Sequence, residues 1–227
     1  MPAPYRIAVL ASGRGSNLQA ILDAIAAGQL DAQVAGVFSD RPSAPALERA
    51  RAAGVPAFAA EPRSFGSRTA YEAELFGHVA GAGPDLVVCA GYMRLIGAAT
   101  VASWTGRMIN IHPSLLPAFK GLHTHRQALA ARAAEHGCSV HYVTAELDGG
   151  PVISQARVPL LPGDDEPALA ARVLEREHPL LVATLRLLAD ARIRLGPTGV
   201  LLDGEPLPAP LRLDSASVLH RPDLQPD

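Results

Sequence analysis

Short apolar runs alternate with longer amphipathic stretches along most of this chain of 227 residues. The short runs predict β-strands, and the stretches with apolar residues every three or four positions predict helices. Strands are predicted at residues 5–11, 32–38, 55–58, 85–90, 108–111, 138–143 and 152–158. Helices are predicted at residues 18–27, 46–53, 68–80, 98–104, 124–134 and 167–193. This alternation is typical of an α/β fold with a doubly wound, mostly parallel sheet and helices on both faces.

The C-terminal part of the chain follows a different pattern. A hairpin is predicted around Asp203 and Gly204, because an Asp-Gly pair suits a two-residue turn. From residue 208 onward, prolines and polar residues predict a loose tail, residues 208–227. We therefore expect a single domain over residues 1–207.

The stretch of residues 108–121 carries the strongest candidate chemistry. Asn110 and His112 stand where a predicted strand opens into a loop broken by prolines and a glycine. Open parallel sheets bind their ligands at this rim. Residues two apart on a strand point to the same side, and an amide with an imidazole suits a carbonyl that becomes an oxyanion. From these residues alone, an asparagine that closes a turn and a histidine bonded to backbone remain an equal alternative.

A glycine loop follows the first predicted strand, at residues 12–17. Gly13 and Gly15 let the backbone approach a ligand, and the N–H groups of the next helix favour an anion. The spacing departs from the dinucleotide fingerprint, because the third glycine would fall at Leu18. A single phosphate is therefore the expected ligand, and a tight turn capped by Ser16 remains the alternative.

Three further residues are weaker candidates. Arg94 lies in an apolar loop after a buried strand, where a flat ligand could bind. Arg68 occupies the first turn of a helix, where a cation is unfavourable unless another group holds it, and the sequence favours the alternative of a solvated surface arginine over a ligand contact. Asp148 lies in an acidic, glycine-rich loop and could meet His112, which would favour the imidazolium.

Composition excludes several classes of function. Hydrophobic residues make up 48% of the chain and the net charge is −2, so no basic footprint predicts nucleic-acid binding. No apolar run reaches membrane-spanning length and no signal-type segment begins the chain, so we expect a cytoplasmic protein without a membrane partner. Cys89 and Cys138 lie in strand-like runs and are predicted to be reduced core residues.

A metal site is the main chemical alternative. Five of the eight histidines fall between His112 and His141, close to Asp148 in the predicted fold. However, His123 and His125 flank a helix start, where residues two apart diverge, and no motif has ligand spacing. We therefore expect no metal.

Several of these stretches together resemble the folate-dependent phosphoribosylglycinamide formyltransferase family of purine biosynthesis. The resemblance covers roughly residues 5–207. The run Asn-Ile-His-Pro-Ser-Leu-Leu-Pro marks the wider formyltransferase superfamily, and Gly-Leu-His-Thr-His-Arg-Gln-Ala-Leu after it indicates this family. The segments that carry the resemblance are residues 12–17, 91–94, 110–129 and 146–152.

The resemblance implies a role for specific residues. Asn110, His112 and Asp148 would be catalytic, and amine attack on the formyl group would proceed without a covalent enzyme intermediate. The phosphate of glycinamide ribonucleotide would be held by Gly15, Ser16 and Asn17, and Glu177 would also contact this substrate. The cosubstrate 10-formyltetrahydrofolate would be surrounded by Arg68, Met93, Arg94, Leu95, Ile96, Asn110, Thr144, Ala145, Glu146, Leu147 and Asp148. At Ala145 relatives often carry an acid, so the fine folate contacts differ there.

The expected partners are these small molecules, with no nucleic acid, and the expected state is a monomer or homodimer. Other superfamily members are alternatives: methionyl-tRNA formyltransferase would carry an additional C-terminal domain, and formyltetrahydrofolate deformylase usually carries an N-terminal one. A metal hydrolase and a non-catalytic module that binds a phosphorylated metabolite are alternatives from other classes.

Overall fold

A computed structural model describes residues 3–222 of the chain. The chain divides into two compact units, Met1–Asn110 and Ile111–Asp227. The division falls inside strand β5 (Met108–His112), so this strand contributes residues to each unit. The predicted single domain over residues 1–207 stays a prediction.

The first unit alternates strands with helices, as the apolar pattern predicts. Its strands are β1 (Tyr5–Leu10), β2 (Ala32–Ser39), β3 (Ala57–Ala59), β4 (Leu86–Cys89) and the beginning of β5. Its helices are α1 (Ser16–Ala26), α2 (Pro45–Ala52), α3 (Arg68–Gly81) and α4 (Ala98–Ser103), and one turn of 3-10 helix spans Pro62–Ser64. Ser67 caps α3, because its hydroxyl accepts the Ala70 N–H at 3.1 Å.

The strands of the first unit form a parallel arrangement in the order β3-β2-β1-β4-β5. The side chains from Ile7 to Leu10 on β1 are fully buried, as expected for the centre of a parallel sheet. Strand β2 pairs with one edge of β1, and β4 pairs with the other edge. The loops after β1 and β4 therefore diverge at a topological switch point, where α/β sheets bind ligands.

The second unit contains a different sheet pattern. Its strands are β6 (Glu135–Tyr142), β7 (Val152–Pro159), β8 (Ile193–Gly196), β9 (Gly199–Leu202), β10 (Glu205–Pro206), β11 (Leu211–Leu213) and β12 (Leu219–His220). Its helices are α5 (Thr124–Ala130) and α6 (Glu166–Ala189). Strands β6 and β7 pair antiparallel, β11 pairs parallel with β7, and β12 pairs antiparallel with β11. Strands β8, β9 and β10 form a separate antiparallel sheet.

The predicted apolar stripe of α6 is confirmed, but the helix is shorter than predicted. The buried stripe comprises Leu169, Val173, Leu180, Leu181, Leu185 and Leu188. The helix ends at Ala189, and Ile193, predicted as its last residue, instead begins β8 and pairs with Leu202. The backbone turns at Ala191, whose φ is 55°, so no glycine or proline marks the stop in the sequence. Helix α5 likewise ends at Ala130 rather than at residue 134.

Part of the predicted loose tail is ordered. The predicted hairpin is confirmed at Asp203 and Gly204, which both have positive φ between β9 and β10. Beyond it, however, Leu211 pairs with Ser154 of β7, and Leu211 is buried. The prediction of a loose segment is therefore wrong for β11 and β12, because β11 pairs with β7 and buries its leucines, and β12 pairs with β11. Residues 223–227 of the predicted tail lie outside the described residues.

The predicted fold class is confirmed as a mostly parallel α/β fold with an antiparallel C-terminal hairpin. Cys89 and Cys138 are both buried and reduced, as predicted. Burial raises the pKa of the Cys89 thiol to about 12, so this thiol stays protonated near neutral pH. Within residues 3–222, no helix combines the length and apolar character that crossing a membrane requires.

Candidate active site

The loop after β1 presents its glycines at the start of α1. Gly15 caps α1 and has a left-handed backbone, with φ of 73°. A Cβ atom at this position would lie 2.8 Å from both Cα and Cβ of Ala46, so packing also requires glycine. Ser16 is the first helical residue and not the cap, so the alternative of a turn capped by Ser16 is wrong in its choice of cap. Because glycine has no side chain to cap the helix, an anion near Ser16 and Asn17 would suit its first N–H groups.

Ser12 ties this loop to the loop after β4. Its N–H donates to the Gly91 carbonyl at 3.0 Å, and its hydroxyl oxygen accepts the Met93 N–H at 2.9 Å. The same hydroxyl donates to the buried carboxylate of Asp40, which follows β2, at 2.5 Å. Three loops at the carboxyl edge of the parallel strands are therefore fixed to one another.

The loop after β4 presents the residues predicted to contact folate. The side chains of Met93 and Leu95 are 60% and 63% exposed, and Ile96 is half-buried. The Arg94 guanidinium lies 5.6 Å from the centre of the Tyr71 ring, within range of a cation–π interaction. Exposed apolar side chains beside a cation suit a flat and partly polar ligand.

The Arg68 guanidinium is bound by a carboxylate and a backbone carbonyl of the first unit. These contacts explain why a cation is tolerated in the first turn of α3. Its Nε donates to the Glu72 carboxylate at 2.6 Å, and its Nη2 donates to the Leu95 carbonyl at 2.9 Å. The side chain remains 52% exposed, so its outer edge is accessible to a ligand. The unfavourable helix dipole is offset by the adjacent carboxylate.

The structure brings His112 and Asp148 together in the second unit. Nδ1 of His112 lies 3.6 Å from Oδ2 of Asp148, and both side chains are at least nine-tenths buried. Nε2 of His112 lies 3.1 Å from the Phe119 carbonyl oxygen, which can only accept, so Nε2 carries a proton. Asn110, half-buried in the first unit, stands two residues before His112 on β5.

A histidine that the sequence analysis did not select also faces Asp148. Nε2 of His141, on β6, lies 3.8 Å from Oδ1 of Asp148, and Nδ1 bonds the Tyr142 carbonyl at 2.9 Å. Burial lowers the pKa of His141 to about 4, although Asp148 acts in the opposite direction. His141 is therefore neutral near pH 7. A histidine inside an apolar strand gives no sequence signal beyond that of a core residue.

The loop of residues 144–148 is held by contacts with Lys120 and Gly121. The Gly121 N–H donates to Oδ2 of Asp148 at 2.8 Å, and Lys120 pairs with Glu146 at 2.7 Å. Asp148 has a φ of 47°, which is uncommon for a residue other than glycine. A Cβ atom at Gly150 would lie 1.8 Å from the Tyr142 carbonyl oxygen, so the chain can pass here only as glycine. Thr144 is half-buried, and Ala145 and Leu147 are exposed.

Two further histidines of the cluster, His125 and His136, pair with each other. Nδ1 of His125 lies 3.1 Å from Nε2 of His136, which packs edge-on against Phe119. Burial lowers the pKa of His136 to about 4 and also lowers that of His125, so both are neutral near pH 7. Within residues 3–222, no group of three or more histidine, cysteine, aspartate or glutamate side chains could hold a metal ion.

Glu177 is half-buried on α6 rather than a fully solvated surface residue. Its neighbour Arg176 donates to the carbonyls of Leu213 and Asp214, which fixes this turn of α6 to the segment around β11. Burial raises the pKa of the Cys138 thiol, and Glu177 adds to that increase. The position of Glu177 is thus fixed by its helix, and its predicted contact with substrate stays a prediction.

Comparisons with known proteins agree with these features. A model of the formyl transferase family matches residues 5–185. Phosphoribosylglycinamide formyltransferase of Escherichia coli (strain K12) is 48% identical over 202 residues, which cover 89% of this chain and 95% of the relative. A structure of phosphoribosylglycinamide formyltransferase from Coxiella burnetii has a TM-score of 0.87 at 46% identity, and the match covers 90% of this chain and 96% of that chain.

A structure of a formyltetrahydrofolate deformylase from Pseudomonas syringae is less similar. It has a TM-score of 0.81 at 25% identity, and the match covers 88% of this chain and 66% of that chain. The predicted resemblance to phosphoribosylglycinamide formyltransferase is therefore confirmed. Since the family model covers most of its length, this chain belongs to the formyl transferase family.

Proposed function

We propose that this enzyme transfers the formyl group of 10-formyltetrahydrofolate to the amine of N1-(5-phosphoribosyl)glycinamide in de novo purine biosynthesis. The observation that carries the proposal is the buried pair of side chains formed by His112, the last residue of β5, and Asp148. It stands in a chain that matches the E. coli phosphoribosylglycinamide formyltransferase over nearly all of that protein. The folate substrate itself is inferred from the family.

In the proposed reaction, the glycinamide amine attacks the formyl carbon and the carbonyl oxygen gains negative charge in a tetrahedral intermediate. Asn110 and His112 donate hydrogen bonds to this oxygen. The amine nitrogen loses a proton, and the departing folate nitrogen gains one as the carbon–nitrogen bond breaks. Asp148 assists that transfer, directly or through water. No side chain forms a covalent intermediate.

The surroundings of His112 support its role as a hydrogen-bond donor. Nε2 carries a proton because it faces the Phe119 carbonyl oxygen, and Nδ1 faces the Asp148 carboxylate at 3.6 Å. During transfer, the oxyanion would replace the Phe119 oxygen as acceptor, because a charged acceptor forms the stronger hydrogen bond.

The substrate-binding roles are also proposals. In the first unit, Gly15, Ser16 and Asn17 would hold the substrate phosphate at the start of α1. In the second unit, Glu177 would contact glycinamide ribonucleotide. The folate-contacting residues would be Arg68, Met93, Arg94, Leu95, Ile96 and Asn110 in the first unit and Thr144, Ala145, Glu146, Leu147 and Asp148 in the second. Cytoplasmic location and a monomeric or homodimeric state stay predictions.

The test is formyl transfer measured as release of tetrahydrofolate, with and without glycinamide ribonucleotide. We expect release that depends on the acceptor and that falls at least about 10³-fold in Asp148→Asn, which keeps the size but not the charge of the side chain. Asp23→Asn, at an exposed site on α1, is the matched control. Thermal melting of both variants checks that the fold is intact.

Other outcomes separate the alternatives. Release without acceptor would indicate a deformylase, the activity named for the P. syringae structure. Activity lost in a chelator and restored by a divalent metal would indicate a metal hydrolase. Binding of both ligands without any release would indicate a module without catalytic function, and each of these results would reject the proposal.

A further inference from the structure

A buried glutamate on α3 is the centre of a hydrogen-bond cluster in the first unit. Glu72 is 7% exposed, and its carboxylate accepts from Arg68 Nε at 2.6 Å and from Thr100 Oγ1 at 2.8 Å. The Gly97 N–H donates to both carboxylate oxygens, at 2.9 and 3.0 Å. Burial acts to raise the pKa of Glu72, but these hydrogen bonds hold it below its usual value of 4.5, so the carboxylate is charged near neutral pH.

The partners of Glu72 fix one end of the loop after β4. Gly97 directly follows Ile96, and Arg68, oriented by Glu72, donates to the Leu95 carbonyl at 2.9 Å. A Cβ atom at Gly97 would lie 2.7 Å from Oε2 of Glu72, so the backbone approaches the carboxylate as closely as glycine allows. Glu72 therefore holds residues 95–97 both directly and through Arg68.

The opposite side of this loop faces outward. Among the described residues of the first unit, Met93 and Leu95 are the large apolar side chains that are exposed, and Arg68 remains half-exposed. The other end of the loop is held by Ser12, which accepts the Met93 N–H. A loop fixed at both ends loses little conformational entropy when a ligand binds to its outer side, so its affinity is higher than that of a mobile loop.

We propose that Glu72 is a positioning residue that preorganises residues 93–96 and Arg68 for binding of the folate substrate. This inference rests on the proposed function, because it takes that loop to contact folate. Glu72 itself is buried, and it acts on the loop through Gly97 and Arg68. Its removal is expected to weaken folate binding and to leave the chemical step unchanged.

The test compares Glu72→Gln with Glu48→Gln, an exposed glutamate paired with Arg51 on α2. This substitution removes the charge that faces Arg68 and replaces one of the two acceptor oxygens by an NH2 group, so Arg68 and Thr100 can no longer both donate to acceptor oxygens. We expect the KM for 10-formyltetrahydrofolate and the Kd for tetrahydrofolate, measured by calorimetry, to rise about tenfold. The kcat and the KM for glycinamide ribonucleotide should stay within about twofold, and Glu48→Gln should change nothing.

A second variant keeps the test valid if Glu72→Gln does not fold. Thr100→Val removes one hydrogen bond to Glu72 without touching Arg68 or the loop, so it should raise the same KM and Kd by a smaller factor. Unchanged folate KM and Kd in the folded variants would overturn the inference, as would an equal loss in kcat and both KM values. A wild-type protein that neither transfers formyl groups nor binds tetrahydrofolate would instead overturn the proposed function, and this inference with it.

Discussion

Each unit contains a buried carboxylate, and the two differ in how fully they are bonded. Glu72 in the first unit accepts hydrogen bonds from three donors, all within 3.0 Å, and one of them is a permanently charged guanidinium. Asp148 in the second unit accepts one backbone hydrogen bond, from Gly121. It faces the imidazoles of His112 and His141 at 3.6 and 3.8 Å, beyond hydrogen-bond distance.

The difference separates a positioning carboxylate from a reactive one. A carboxylate with close donors on both oxygens stabilises a single arrangement, and any change breaks bonds that already exist. A carboxylate held by one bond beside titratable rings retains acceptor capacity, which proton transfer requires. We therefore expect substitutions around Asp148 to change kcat, and substitutions around Glu72 to change folate affinity or stability.

After the loss expected for Asp148→Asn, the largest effect is expected at the groups proposed to bind the oxyanion. Asn110→Ala or His112→Ala should lower kcat by about 10² to 10³, the loss typical of a missing oxyanion donor. Single-turnover formyl transfer measures the chemical step directly, and His220→Ala, at a partly exposed histidine paired with Asp214, is the control. A variant that keeps nearly full turnover would remove that residue from the catalytic set.

A smaller effect is expected when the cluster around Glu72 is forced apart. In Gly97→Ala, the new methyl group would meet Oε2 of Glu72, which cannot move without losing hydrogen bonds. We expect the free energy of unfolding to fall by about 1–3 kcal/mol. Urea denaturation measures this change, and Gly66→Ala, where a Cβ would meet nothing within 4 Å, is the control. Equal stability of both variants would mean that Glu72 is loosely held, and the contrast between Glu72 and Asp148 would then be wrong.

Much of the fold was predictable because the apolar periodicity is strong. Strands such as β1 and β4 are continuous apolar runs, and the glycine loop and the residues of β5 stand at their predicted places. Strands β11 and β12 were not predictable, since two or three residues among prolines carry no periodic signal. Strand β11 is ordered by pairing with β7, which is more than fifty residues away in sequence, and β12 is ordered by pairing with β11.

The candidate site was predictable only in part, for a similar reason. His112 and Asp148 carry recognisable motifs, and the structure brings them together. His141 was missed because a histidine in an apolar strand has the pattern of a core residue. Glu72 was missed because a glutamate on a helix has the pattern of solvated surface, and its partners Gly97 and Thr100 lie on another segment of the chain. Such roles depend on tertiary contacts that no local pattern encodes.

The smallest expected effect distinguishes the two carboxylate environments by pH. His141 has a pKa lowered from 6.5 to about 4 by burial, so unfolding takes up a proton between these values and stability falls as pH drops from 6.5 toward 4. His125, His136 and His178 shift in the same direction. Glu72 has a lowered pKa, so its contribution is present above 4.5 and is lost only below that.

We therefore expect the Tm of the wild type to fall by several degrees between pH 7 and 5. The variant His141→Asn should reduce that fall, and its side chain retains a donor for the Tyr142 carbonyl. Glu72→Gln should lower the Tm by a similar amount at pH 7 and at pH 5, because the charge that it removes is present in the wild type at both values. Differential scanning calorimetry at matched ionic strength measures all three proteins. If Glu72→Gln, rather than His141→Asn, flattened the profile between pH 7 and 5, the Glu72 carboxylate would be the acid-sensitive group, and its description as charged throughout this range would be wrong.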